Sequence, residues 1–244
     1  MALVLVTGAA SGIGRLAAEG LARAGHDVVV HARSADRLPG DLVRVGEVIG
    51  DLSEADAVRG VAERADRFGA FDAVIHNAGV IDGPDVFAVN VVAPYLLSAL
   101  MVPPARTIVI SSSMHRSGTP DLANLDVARP EVRRRPYDDS KLFVTALALH
   151  LAVVRPGALA HAVDPGWVPT RMGGAHASDS LDEGSRTQEW LATAPVEEID
   201  PRTGGYWFHR RTQSPHPAVL DPSFQAELIE MLAHHTGVVL PQDG

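Results

Sequence analysis

The stretch ALVLVTGAASGIG, residues 2–14, decides the architecture. An apolar run rich in β-branched residues gives way to a turn punctuated by glycines. That turn opens a helix over residues 13–23 with alanine and leucine on its buried side. Strand, glycine loop and helix in succession begin a parallel α/β unit. Glycines let a backbone approach a pyrophosphate, and the helix amino terminus favours its negative charge. Gly8, Gly12 and Gly14 depart from the G-x-G-x-x-G spacing by a longer turn before the second glycine.

Working outward, short apolar runs keep alternating with helical patterns. DVVVH, VRVGEVI, FDAVIH, TIVIS, ALAHAV and GYWFH read as strands two to seven. Helices are expected near residues 54–67, through VFAVNVVAPYLLSALM, from Lys141 to Val154, and in PSFQAELIEMLAHH. Continuous apolar strands imply burial on both faces. The fold class is α/β: a single-domain, doubly wound (Rossmann-type) parallel sheet with helices on both faces. With no repeat or linker, residues 1–244 read as one domain. Residues 171–191, rich in Gly, Ser, Asp and Glu, read as a flexible loop and a candidate substrate lid.

The end of the second strand bears on a dinucleotide's ribose. A carboxylate there suits the hydroxyls of NAD, an arginine the 2′-phosphate of NADP. VVVHARS has no carboxylate at the tip and places Arg33 directly after it. NADP(H) is therefore the preferred cofactor, with NAD(H) a weaker alternative. A charge-assisted hydrogen bond of roughly 1.5–3 kcal/mol corresponds to about 10- to 100-fold in affinity. Asp51, ending the third strand, has two readings: acceptor for an adenine amino group, or cap of the next helix.

Composition excludes several other functions. There are 0 cysteines, so disulfides and thiolate chemistry are absent, and no histidine spacing suggests a metal site. A formal net charge of −9 disfavours nucleic acid and anionic membranes as partners. The basic run at residues 133–135 reads as a solvated loop. No apolar stretch reaches the ~20 residues of a membrane span, and MALVLVTG lacks a basic leader. A soluble cytoplasmic protein is expected.

YDDSK, residues 137–141, precedes the apolar run LFVTALALHLAVV. Pro136 suits a first helical turn, and Asp138 and Asp139 suit the dipole's positive end. Positions four apart share a helix face, so Tyr137 and Lys141 lie side by side. A cation beside a phenol lowers its pKa from ~10. The helix is apolar nearly all round, and pairing of such helices between subunits predicts a homo-oligomer.

TGAASGIG, HNAG at residues 76–79, SSS at 111–113 and YDDSK, in this order, resemble the short-chain dehydrogenase/reductase family over essentially the whole chain. SSSMHR, the insert before Tyr137 and TGGYWFH resemble its retinol-dehydrogenase-like branch. The resemblance implies hydride transfer between nicotinamide and an aldehyde or ketone, or the corresponding alcohol. It implies catalytic roles for Asn90, Ser112, Tyr137 and Lys141, with Ser111 and Ser113 as rivals of Ser112. Tyr137 would donate the proton, Ser112 hold the carbonyl oxygen, Lys141 tune the phenol and hold the nicotinamide ribose, and Asn90 anchor a relay water. Cofactor contacts are implied for Gly8, Ser11, Gly12, Ile13, Gly14, Leu52, Asn77, Gly79, Tyr137 and Lys141. DPGWVPT adds Pro165, Gly166, Val168 and Thr170.

An epimerase or dehydratase of the same superfamily can also use Y-x-x-x-K, but its glycine spacing differs and its carboxy-terminal domain is usually larger. A non-enzymatic NADP-binding sensor or scaffold would dispense with the Tyr, Lys or Ser. His115 reads as a substrate contact or as a local packing residue, and Trp167 and Trp207 as pocket walls or core. Neither the substrate nor the reaction direction follows from the sequence.

Overall fold

A computed structural model describes residues 1–122 and 134–241. Arg133 and most of the insert before Tyr137 lie outside the described residues. Eight strands form one sheet in the order β3-β2-β1-β4-β5-β6-β7-β8. They are β1 (Leu3–Val6), β2 (Asp27–Ala32), β3 (Gly46–Ile49), β4 (Ala73–His76), β5 (Arg106–Ile110), β6 (Leu159–Asp164), β7 (Tyr206–Phe208) and β8 (Arg211–Thr212). β1 to β7 pair in parallel, for example Val4 with Val28 and Ile110 with Val163. Parallel pairing requires crossovers, so the carboxyl ends of these strands share one edge of the sheet.

The helices are α1 (Gly12–Arg23), α2 (Ala55–Asp66), α3 (Ala93–Leu100), α4 (Pro136–Val154), α5 (Leu181–Thr193) and α6 (Pro222–Thr236). Apolar cores fill both sides of the sheet: Leu5, Val29 and Val74 face one, Val4, Val30 and Ile75 the other. Alternate residues of one strand point to opposite faces, which is why these strands are apolar throughout. The doubly wound α/β expectation holds.

Three details differ from the sequence reading. β8 is an eighth, antiparallel strand, joined to β7 through His209 and Arg210, whose φ angles are 48° and 59°. The helix expected through VFAVNVVAPYLLSALM is interrupted by one π-helical turn, Ala88–Val92. Pro94 has no N–H to return to the Asn90 carbonyl, which disfavours regular α geometry there.

The third correction concerns residues 171–191. The irregular segment ends at Ser180, whose hydroxyl accepts from Glu183 N at 3.2 Å and caps α5. In α4 the residues Asp138 to Leu149 are all buried within one chain. α6 packs on it, with Phe224 and Phe143 ring centroids 6.0 Å apart.

Candidate active site

The glycine loop is held by two side chains from neighbouring strand ends. Asn77 donates from its amide nitrogen to Thr7 O at 2.8 Å, and Asn77 N and Ala78 N both donate to Thr7 Oγ1. His31, the fifth residue of β2, accepts from Gly8 N on Nδ1 at 3.1 Å. Its Nε2 sits 2.9 Å from Gly50 O, so the ring proton belongs on Nε2 and the imidazole bridges the loop to the end of β3. Burial lowers the His31 pKa and keeps this neutral tautomer. The VVVHARS segment carried the signal, but a lone histidine has no spacing pattern to reveal it.

Backbone here comes close to backbone. Gly8 has φ +67°, and a Cβ on it would stand 2.8 Å from Ala78 Cα. A Cβ on Gly14 would meet the Asn77 amide and, at 2.6 Å, Gly8 O. Ser11 occupies the N-cap position of α1 without a side-chain cap bond, and the first turn holds no acidic residue. The resulting cradle fits a dinucleotide phosphate: bare glycine backbone, free helix-end N–H groups and no competing carboxylate. Gly12 faces Thr170, whose methyl would be 3.5 Å from a Cβ there, so the two loops meet across the cradle. Ile13 is half-buried and Leu52 buried.

Arg33 is exposed, its Nε 3.8 Å from Asp51 Oδ2. Burial works against the Asp51 charge, but bonds from Ser53 N and Oγ, at 3.0 and 2.8 Å, and the Arg33 charge hold its pKa below the usual value. One carboxylate oxygen therefore closes a local turn, and the other faces Arg33.

After β6, Asp164 Oδ1 accepts from Gly166 N at 3.0 Å, and Oδ2 from the Tyr206 hydroxyl at 3.2 Å. Pro165 and Gly166 lead into a loop closed at its base. Trp167 N donates to Asp179 Oδ2 at 2.6 Å, and Asp179 N donates to Trp167 O at 2.9 Å. Val168 buries its side chain against Gly184 of α5, and Thr170 N donates to its carbonyl at 2.7 Å. Trp167 is exposed, whereas Trp207 is core, donating to His161 Nδ1 at 3.0 Å.

The three adjacent serines separate cleanly. Ser111 is buried and bonded to Thr145 Oγ1 at 2.6 Å, and Ser113 is exposed. Ser112 is half-buried, and its hydroxyl interacts with the Tyr137 phenol. Asn90, in the π turn, accepts from Val80 N at 2.8 Å and donates to Val80 O at 2.9 Å and Ser140 Oγ at 3.0 Å. A Cβ on Gly79 would stand 3.2 Å from Asn90 Oδ1 and 3.6 Å from Lys141 Nζ. Lys141 Nζ donates to Ile110 O at 2.7 Å and lies 5.6 Å from the Tyr137 ring centroid. Asn90, Ser112, Tyr137 and Lys141 thus converge from three segments.

The electrostatics correct one expectation. The Tyr137 phenol is pushed up to about 12, first by burial, with Asp164 and Asp138 adding to the rise and the Ser112 hydrogen bond opposing it. Burial also lowers Lys141 to about 8, against the opposing pull of Asp164. The ammonium bonds to a carbonyl, and burial and two carboxylates bear on the phenol, so the net shift is upward despite the neighbouring Lys141. Its hydroxyl lies 4.0 Å from Met172 Sδ. Beside it opens a cleft of about 590 Å³ lined by Ile81, Pro84, Met114 and Pro136.

His115 is fully buried and serves locally. Its Nδ1 is 2.7 Å from Ser112 O, and its Nε2 accepts from His216 N at 3.0 Å. Among the described residues no helix is long and apolar enough to cross a membrane, and no cluster of three potential metal ligands occurs.

Residues 2–180 match the family model described as short chain dehydrogenase. The short-chain dehydrogenase chyC of Penicillium rubens is 34% identical, with 99% of this chain and 100% of that protein aligned. A solved protein from Mycobacterium paratuberculosis superposes with a TM-score of 0.80 at 22% identity, covering 99% of this chain and 95% of that one. NADPH-bound carbonyl reductase from chicken fatty liver gives 0.68 at 21% identity, covering 88% and 99%. On the match over residues 2–180 and the full-length kinship, the chain belongs to the short-chain dehydrogenase family of oxidoreductases.

Proposed function

We propose that this oxidoreductase interconverts an aldehyde or ketone and the corresponding alcohol, using NADP(H) in preference to NAD(H). The observation that carries the reading is the convergence of Ser112, Tyr137, Lys141 and Asn90 at the carboxyl ends of β4 and β5. Gly8, Ser11, Gly12, Ile13 and Gly14 would hold the pyrophosphate half of the dinucleotide. Arg33 would meet the 2′-phosphate and Asp51 or Leu52 the adenine side. Asn77, Gly79, Pro165, Gly166, Val168 and Thr170 would line the nicotinamide half. The bound nicotinamide supplies or accepts the hydride.

The chain's own residues handle the oxygen and the proton. Ser112 Oγ donates to the carbonyl oxygen and fixes its place beside the phenol. Tyr137 Oη gives its proton to that oxygen as negative charge develops there. A phenol near 12 stays protonated across the neutral range, which suits a donor in the reductive direction. The Lys141 ammonium, behind the phenol, stabilises the phenolate left after transfer. Asn90 holds the Val80 backbone and Ser140 in place at the rear of the site.

Tyr137→Phe keeps the ring and removes only the hydroxyl. Carbonyl reduction with NADPH is expected to fall by about 10²–10⁴-fold, with NADPH affinity retained in a fluorescence titration. Undiminished turnover would remove Tyr137 from the chemistry and overturn the reading.

A further inference from the structure

We infer that the substrate is a bulky, uncharged carbonyl compound with an apolar body, carried in the cleft that opens beside Tyr137. The inference rests on the reading of Tyr137 as the group that meets the carbonyl oxygen.

Exposed large apolar side chains collect around this phenol. Ile81 follows β4, Met114 follows β5 and Met172 follows β6. These segments extend from the sheet edge that carries the carboxyl ends of the strands. Ile81, Met114, Pro84 and Pro136 line the cleft, and the Met172 sulfur lies 4.0 Å from the Tyr137 hydroxyl. Apolar surface gathered in a concavity, unlike scattered exposed leucines, marks a binding site. A volume of about 590 Å³ falls within the range that buries a drug-sized ligand. Methionines on two sides give the walls an adaptable shape.

The polar content narrows the chemistry. Asp82 and Asp138 are the carboxylates of the lining, and Arg135 is its cation. Arg135 Nη1 faces Asp138 Oδ2 at 3.6 Å, so the cation is already met by an anion. A carboxylate or phosphate substrate would face two acids and one committed arginine among the described residues. A polyhydroxylated substrate would give up water for methionine, proline and isoleucine surfaces that return no hydrogen bond. A neutral apolar body loses nothing by the same transfer.

The test measures kcat/KM with NADPH over 2-alkanones from butanone to decan-2-one, with 1-tetralone, phenylpyruvate and glyceraldehyde as comparators. Burial of a methylene corresponds to at most about four-fold, so a rise of two- to four-fold per methylene is expected until the cleft is filled. 1-Tetralone should exceed phenylpyruvate and glyceraldehyde by about 10-fold or more. Ile81→Gln and Met114→Gln should flatten the series, with losses growing with chain length. A flat series, or equal use of the anionic or hydroxylated carbonyl, overturns the inference while leaving hydride transfer in place. Should no carbonyl be reduced, calorimetric titration of the protein with NADP and the 2-alkanol series separates the two readings. Affinity that climbs with chain length then keeps the apolar ligand and removes the reductase; affinity without slope removes both.

Discussion

His115 Nδ1 lies 2.7 Å from the carbonyl oxygen of Ser112, while its Nε2 accepts from His216 N at 3.0 Å. Nε2 accepts, so Nδ1 carries the proton and donates. Burial pushes the ring pKa down to about 4, which keeps this tautomer throughout the neutral range. Its ring also packs on Tyr206 at 4.6 Å, and Tyr206 in turn bonds to Asp164. One neutral imidazole therefore joins the Ser112 turn, β7 and the segment before α6.

His115 should act as a positioning residue for Ser112. His115→Asn can still donate to Ser112 O, whereas His115→Phe leaves that oxygen only the His115 backbone N–H and leaves the His216 N–H without its acceptor. Losing a buried bond costs about 1–3 kcal/mol. His115→Phe should lower kcat by about 10-fold or more with NADPH affinity retained, and His115→Asn should recover much of the loss. Equal kcat in the two variants would limit the residue to stability.

Arg33→Ala should raise the Kd for NADPH by about 10- to 100-fold and change that for NADH little. Parallel fluorescence titrations read both. Equal losses for the two cofactors would assign Arg33 a structural part through Asp51 instead.

Lys141 offers a stability test with a defined sign. Its pKa is near 8 when folded against a model value of 10.5, so between these values the unfolded chain binds more protons. The contribution of Lys141 to stability therefore rises with pH across that window and is most unfavourable below it. Lys141→Met should raise the unfolding free energy at pH ~7 by up to about 3 kcal/mol, less the lost bond to Ile110 O, while reductase activity collapses. Chemical denaturation at neutral pH decides the sign.

The same residue predicts the pH profile of reduction. Tyr137 stays a phenol to about 12, so the first group to change charge behind it is Lys141 at about 8. The kcat/KM for the carbonyl should be level through neutral pH and decline above about 8. In Lys141→Met the decline should be absent from whatever activity remains.

Gly14→Ala places a methyl group against the Asn77 amide and Gly8 O. Overpacking of this kind costs about 1–3 kcal/mol, and here it also spreads the cradle. NADPH affinity should fall by about 10-fold or more, read by the same titration, with the sheet intact by circular dichroism.

Much of this was written in short-range patterns. The apolar strands, the Gly8–Gly12–Gly14 turn and the Tyr137–Lys141 spacing each follow from rules a few residues long, and the fold and the site's outline follow from them. β8 escaped because it is two exposed residues, Arg211 and Thr212, defined only by pairing with β7. α5 escaped because its sequence is polar and contains Gly184, although Ser180 and Glu183 form a recognisable capping pair. The roles of His31 and His115 depend on what lies opposite them in space, and no local pattern encodes that. The pKa of Tyr137 needed the burial and the Asp164 charge, which a helix drawn in isolation does not contain.

The paired bonds between Trp167 and Asp179 have a practical consequence. They close the chain into a ring whose base rests on β6 and whose far end passes Met172 in front of the phenol. Ser180 then restarts regular structure immediately. Residues 171–178 form the variable part of this ring: their sequence can be rewritten while Val168 and Thr170 stay seated against α5 and the glycine loop and β5 and β6 keep their register. A designer seeking a new substrate range would vary these positions first, and selection working on duplicated copies of such a chain would meet the least resistance there.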